Sequence, residues 1–143
     1  GLLHDVGRLA LLACYPNEYE NLLAVASEND FDFRTTEKKL FEIDHCSAGH
    51  WLCKSWNLPA DMTAAIAGHH EAELVEGSLT SLIAVSDSLA AAVGYGTVEL
   101  KEEVEWSDLI APLGADDADA VLKKVEALPA RIAEALGVIS SHH

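Results

Sequence analysis

The sequence predicts an all-α chain folded as a compact helical bundle, and three observations carry that prediction. No segment sustains the period-two alternation that a half-buried strand needs. Apolar residues recur instead at spacings of three and four through successive segments. Between these segments stand Pro, Gly, Asp and Thr, the residues that stop and start helices.

In chain order, "GLLHDVGRLALL" predicts a nearly all-apolar helix over residues 2–12, interrupted by His4, Asp5 and Arg8. Asp5 shares a helical face with Leu2, Leu9 and Leu12. A turn at Pro16 leads to a second helix with Tyr19, Leu22, Leu23 and Ala26 on one stripe. "ENDFDFRT" reads as a polar loop, with Thr35 or Thr36 capping a short helix through "TEKKLFEI". Asp44 is a suitable N-cap for the next helix, which runs to about Trp56. Pro59 opens another to about Glu71. A long apolar helix is expected from about Leu79 to Val93, closed by the glycines of "VGYG". Residues 97–114 read as an acidic connector anchored by Trp106. Two helices follow: "DDADAVLKKVEAL", with a stripe of Ala118, Val121, Leu122 and Val125, and "PARIAEALG", begun by Pro129 and ended by Gly137. Residues 1–141 are expected to form one domain, with a core over 1–95 and C-terminal helices over 105–137. The terminal "SSHH" reads as a tag remnant, so His142 and His143 receive no role.

Composition narrows the function. Half of the 143 residues are hydrophobic, enough for one buried core. The 24 acidic residues against 9 Lys and Arg leave a formal charge of −15, which repels phosphate backbones and anionic lipid. No nucleic-acid or membrane partner is therefore expected, and nothing approaches a membrane span in length. The acidity fits plain solubility first and a face for a basic partner second. Cys14, Cys46 and Cys53 have no zinc-ribbon or CxxC spacing and read as reduced, mostly buried thiols of a cytoplasmic protein.

The informative residues are polar groups on otherwise apolar faces. His45 shares the stripe of Gly49, Leu52, Cys53 and Trp56, while His50 lies about 140° round that helix. His69 and His70 follow Ala65 and Ile66 by four residues, and Gly68 beside them leaves room for a backbone or ligand. Asp87 is the one charged residue of "SLIAVSDSLAAAVG" and points coreward. His4, Asp5, His45, His69, His70 and Asp87 thus aim two carboxylates and four imidazoles inward from four separate helices. Buried charges are rare unless paired or metal-bound. Carboxylate and neutral imidazole are natural ligands of a divalent or transition metal, so one or two ions of Fe, Mn or Zn would satisfy the set. Imidazolium–carboxylate pairing satisfies the same groups without metal, and that alternative stays open.

The stretches "GLLHDVGRLAL", "EKKLFEIDHCSAGHWLCKSWNLPADMTAAIAGHH" and "SLIAVSDSLA" resemble the HDOD family (HD-related output domain) of the HD metal-dependent phosphohydrolase superfamily. The resemblance covers residues 1 to about 92; HD alone is a weak signal, whereas "DH…AGHWL…W.LP…AI..HH" at this spacing is specific. It implies a helical bundle of the HD-domain type, with His4, Asp5 and Asp87 at core ligand positions. His45, His69 and His70 match the additional ligand positions of HD-GYP cyclic-dinucleotide phosphodiesterases. The family's helical segment ahead of the HD pair, which supplies an upstream ligand His in the phosphohydrolases, is not in the sequence, so a fragment is expected. "HHEAELVEGSLTS" also lacks the Gly-rich GYP insertion, and "VGYGTV" has no Pro, which argues against di-GMP cleavage.

Two functions compete. By resemblance, one is a bacterial signal-transduction output module with a metal-competent site, little or no turnover and a signalling-protein partner. The other is metal-dependent hydrolysis of a phosphorylated small molecule or nucleotide, in which His69 or His70 handles protons and Arg8, one turn from His4, contacts a phosphate. So few Lys and Arg favour the first.

Overall fold

The structure is a computed structural model that describes residues 1–26, 32–71, 75–92, 110 and 118–140. The helices are α1 (Val6–Cys14), α2 (Pro16–Ala26), α3 (Phe33–Phe41), α4 (His45–Ser55), α5 (Ala60–Gly68), α6 (Leu79–Ala92), α7 (Ala118–Glu126) and α8 (Leu128–Ser140), with no strand among the described residues. This is an all-α bundle, as the sequence predicts. The expected connector over 97–114 and the helix stop at "VGYG" lie outside the described residues, apart from Ile110. Among the described residues no helix is long and apolar enough to cross a membrane.

The chain divides into two compact units, Gly1–Ala84 and Val85–His143, the boundary falling within α6. In the first unit α1 packs most extensively on α4, α4 on α5, and α1 on α2. The α1–α4 crossing is a backbone-to-backbone contact. A Cβ on Gly7 would collide with the His45 carbonyl oxygen and come 2.6 Å from the Gly49 backbone nitrogen. A Cβ on Gly49 would come 2.8 Å from Ile66 Cγ2 of α5. These two glycines draw the start of α1 onto the start of α4. Gly68, expected to make room beside the histidines, is not needed for that: a Cβ there meets Thr80 at an ordinary 3.5 Å.

Several local expectations are corrected. The first helix begins at Val6, because residues 2–5 form turns closed by His4 N–H to Gly1 O (3.2 Å) and Val6 N–H to Leu3 O (3.1 Å). Its buried face is Val6, Gly7 and Leu11, whereas Leu2, Leu9 and Leu12, the supposed core stripe, are exposed. The third helix starts at Phe33, before Thr35 and Thr36, because Asp32 caps it by accepting from the backbone N–H groups of Arg34 (3.0 Å) and Thr35 (3.4 Å). α5 ends at Gly68, so His69 and His70 lie just past its last turn. α8 continues through Gly137 to Ser140, since a single glycine weakens a helix without ending it. Asp44 caps α4 and accepts from Ser47 N–H at 2.9 Å, as expected.

The first unit holds two apolar clusters. One joins Leu11, Tyr19, Leu22, Phe33 and Phe41; the other joins Val6, Cys53 and Ile66. In the second unit Val85 and Leu89 of α6 pack with Val125 of α7, and half of the predicted stripe, Val121 and Val125, takes part.

A candidate metal centre at the ends of three helices

The inward polar groups do not come from the middles of helix faces. Asp5 is the N-cap of α1 and His4 precedes it; His45 is the first residue of α4; His69 is the C-cap of α5 and His70 follows. At a helix end the chain turns away, so the side chain can reach beyond its own cylinder, and three ends meet here.

Asp5 is the hub. Its Oδ1 lies 3.4 Å from His45 Nε2 and 3.5 Å from His69 Nε2, and its Oδ2 lies 3.7 Å from His4 Nε2 and 2.9 Å from Arg8 Nε. His70 Nε2 lies 3.2 Å from His45 Nε2. The structure therefore brings together His4, Asp5, His45, His69 and His70. Asp87 belongs to the second unit, where it is half-buried on α6. Arg8, read as a phosphate contact, uses its Nε on Asp5 and lays its guanidinium over the Phe33 ring at 4.7 Å.

Burial opposes the charge on Asp5, but His69, Arg8, His45 and His4 outweigh it and hold the carboxyl well below the usual carboxylate range. The carboxylate stays ionised at any physiological pH. Asp5 Oδ1 and His69 Nε2 are nonetheless both buried without a hydrogen-bond partner. His69 turns its other ring nitrogen to the Ile66 carbonyl at 2.9 Å, the usual arrangement for an imidazole whose Nε2 is kept for a metal. Donor atoms sharing a tetrahedral or octahedral ion with bonds of ~2.1 Å sit roughly 3.0–3.4 Å apart. The separations round Asp5 Oδ1 and His45 Nε2, 3.2, 3.4 and 3.5 Å, lie at or just beyond that spacing, so the donor set is compatible with a metal. Among the described residues, the ligand groups that lie close enough to share an ion are His4, Asp5 and His69, and His45, Cys46, His69 and His70, with His69 common to both.

Two participants escape the sequence reading. Cys46 is buried beside His69, its Sγ 4.0 Å from Nδ1, and burial pushes its thiol up to about 12. Cys53 is likewise buried and Cys14 exposed, and all three are free. Glu37 of α3 is the second. It is fully buried and accepts from His45 Nδ1 at 2.6 Å, His45 N–H at 2.9 Å and the Tyr19 hydroxyl at 2.7 Å. A signal for it existed: Phe33, Glu37 and Phe41 follow at i, i+4 and i+8, a carboxylate on an apolar stripe like the one that drew attention to Asp5. Placing the cap of α3 at Thr35 or Thr36 left Phe33 outside the helix and hid that stripe.

The model of the HDOD domain matches residues 1–72, half of the chain, and takes in every residue of the cluster. The chain belongs to the HDOD family. An uncharacterized protein of Treponema pallidum (strain Nichols) is 27% identical over 70 residues, covering 49% of this chain and 14% of that protein. No solved structure matches significantly. The HDOD match stops at residue 72, short of Asp87.

Beside the cluster lies a cavity of about 480 Å³ lined by Leu2, Leu3, Met62, Ile66, Leu79 and Ile83, with His4 at its wall. Its lining is apolar and carries no Lys or Arg side chain.

Proposed function

We propose that this HDOD domain is a regulatory output module of a bacterial signalling protein, with a metal-competent HD site and little or no turnover. The supporting observation is the pair of buried, unsatisfied atoms Asp5 Oδ1 and His69 Nε2, 3.5 Å apart, with His45 Nε2 3.4 Å from the same oxygen. Leaving such atoms without partners costs about 1–3 kcal/mol each, a cost a cation removes. His4, Asp5, His45, His69 and His70 would hold the metal; Asp87 is assigned to the set by its place on an apolar helix face and by resemblance. Against turnover stand the scarcity of basic residues and the apolar cavity beside the cluster, which suits no phosphoester. A signalling protein is the proposed partner, in the cytoplasm.

The second reading is phosphoester hydrolysis, and one observation favours it. Arg8, whose Nε lies 2.9 Å from Asp5 Oδ2, has its Nη1 buried without a hydrogen-bond partner, a donor for a phosphoryl oxygen. In that case a bound divalent metal supplies Lewis acidity and a more acidic water. Arg8 would hold the phosphoryl group, and His69 or His70 would carry the proton.

Elemental analysis of the chain purified without chelator tests both. About one or two Fe, Mn or Zn per chain are expected, and none in Asp5→Asn. No metal in the wild type, even after metal addition, sinks the proposed site. Hydrolysis of bis-p-nitrophenyl phosphate is expected at background. Robust turnover lost in Asp5→Asn replaces the regulatory reading with the enzymatic one.

A further inference from the structure

The carboxylate of Glu37 touches none of the atoms that would face an ion, yet one of its two oxygens is given to a single ligand, His45. Oε2 accepts from both the backbone N–H and Nδ1 of His45, and Oε1 accepts from the Tyr19 hydroxyl. Tyr19 lies in the apolar cluster of α1, α2 and α3, so the pair is anchored outside the cluster of imidazoles. Glu37 and His45 are both fully enclosed, and no water competes for these bonds. An imidazole that gives its Nδ1 proton to a carboxylate has only Nε2 to present elsewhere. His45 Nε2 is the atom that meets Asp5 Oδ1 and His70 Nε2.

We infer that Glu37, held by Tyr19, is the positioning residue of this site: it fixes the ring angle and proton position of His45 so that Nε2 faces the ion. The inference rests on the metal-competent reading above and deepens it. Its warrant is geometric. Two bonds from one oxygen to two atoms of the same residue lock both the backbone entry into α4 and the ring, and the Tyr19 hydroxyl prevents the carboxylate from turning. Carboxylate partners of this kind raise the donor strength of a ligating imidazole, and their loss weakens metal binding by about 10- to 100-fold.

The test pairs metal affinity with a measurement on the metal-free chain. Co(II) affinity is read by competition with a coloured chelator in wild type, Glu37→Gln and Tyr19→Phe. Glu37→Gln keeps the shape and removes the charge, and is expected to bind about 10- to 100-fold more weakly. Tyr19→Phe, a milder change should the first variant not fold, is expected to lose a few-fold. In the metal-free wild type, long-range nitrogen–proton NMR should show the His45 proton on Nδ1, a signature that packing alone would not impose. Wild-type Co(II) affinity in the folded variants, or a bare Nδ1 on His45, overturns the inference and leaves the metal site standing. Absence of Co(II) uptake by the wild type brings both down.

Discussion

Two aspartates stand at the N-caps of the two helices that cross through Gly7 and Gly49, and they are used in opposite ways. Asp44, at the start of α4, accepts from Ser47 N–H, pairs with Arg34 at 3.1 Å and Lys38 at 3.2 Å, and is closed off from solvent. Arg34 carries the network on to Glu71 at 2.8 Å. Asp5, at the start of α1, makes no capping hydrogen bond with its side chain. One oxygen pairs with Arg8 and the other faces imidazoles without a hydrogen-bond partner. Burial works against both charges, and both carboxyls are held far below the usual range, Asp44 by Ser47, Lys38 and Arg34 and Asp5 by His69, Arg8 and the other imidazoles. A carboxylate whose partners are complete holds a structure together; one left with an open oxygen among imidazoles is where the proposed ion would bind. The neighbour relation sharpens the point, since Asp44 and His45 are adjacent in the chain and belong to different networks.

The comparison can be broken hardest at the crossing itself. Gly7→Ala would drive a methyl group into the His45 carbonyl oxygen, so α1 and α4 must separate and both N-caps move. A loss of about 3 kcal/mol or more in urea unfolding is expected, with loss of metal uptake in whatever remains folded. A near-wild-type midpoint would mean that the close approach does not set the site.

Next come the two aspartates exchanged for neutral residues. Asp44→Ala removes a cap and the buried partner shared by Arg34 and Lys38, and should cost about 2–4 kcal/mol of stability while leaving metal affinity near wild type. Asp5→Asn should cost about 1 kcal/mol or less, because the residue caps nothing and its ion pair is partly exposed, while abolishing metal uptake. Equal stability losses, measured by urea midpoint, would erase the distinction between the two residues.

The smallest expected effect is on acid unfolding. Asp5, Asp44 and Glu37 all have folded pKa values below their ordinary ones. Such groups contribute stability that is fully present above the unfolded carboxylate range and is lost as pH falls. Urea midpoints should therefore hold from pH 7 to about 5 and drop through pH 4 and below. Asp44→Ala should flatten that acid limb more than an exposed Asp61→Ala control; identical limbs would show that the caps do not carry the pH dependence.

Much of this was legible in the chain. The order of helices, the cap at Asp44, the stop before Pro59 and the long apolar α6 follow from period and punctuation, because a helix is stabilised by bonds and side-chain contacts within a few residues. The inward polarity of Asp5, His45 and His69 was also visible, although for the wrong reason in Asp5: the leucines thought to share its buried face are exposed. His70, read as inward, is exposed, and only its Nε2 reaches His45. Glu37 was missed through a helix cap misplaced by three or four residues.

By itself, then, the sequence determined the helices and which side chains could serve as ligands, since both are local matters of spacing and chemistry. Tertiary structure decided that these side chains gather at three helix ends, that Glu37 and Tyr19 stand behind His45, and that Asp5 is left open while Asp44 is closed. The physical reason is the depth of the α1–α4 crossing, set where two glycines without side chains let the backbones touch. Residues forty positions apart have no local interaction that could announce such a meeting.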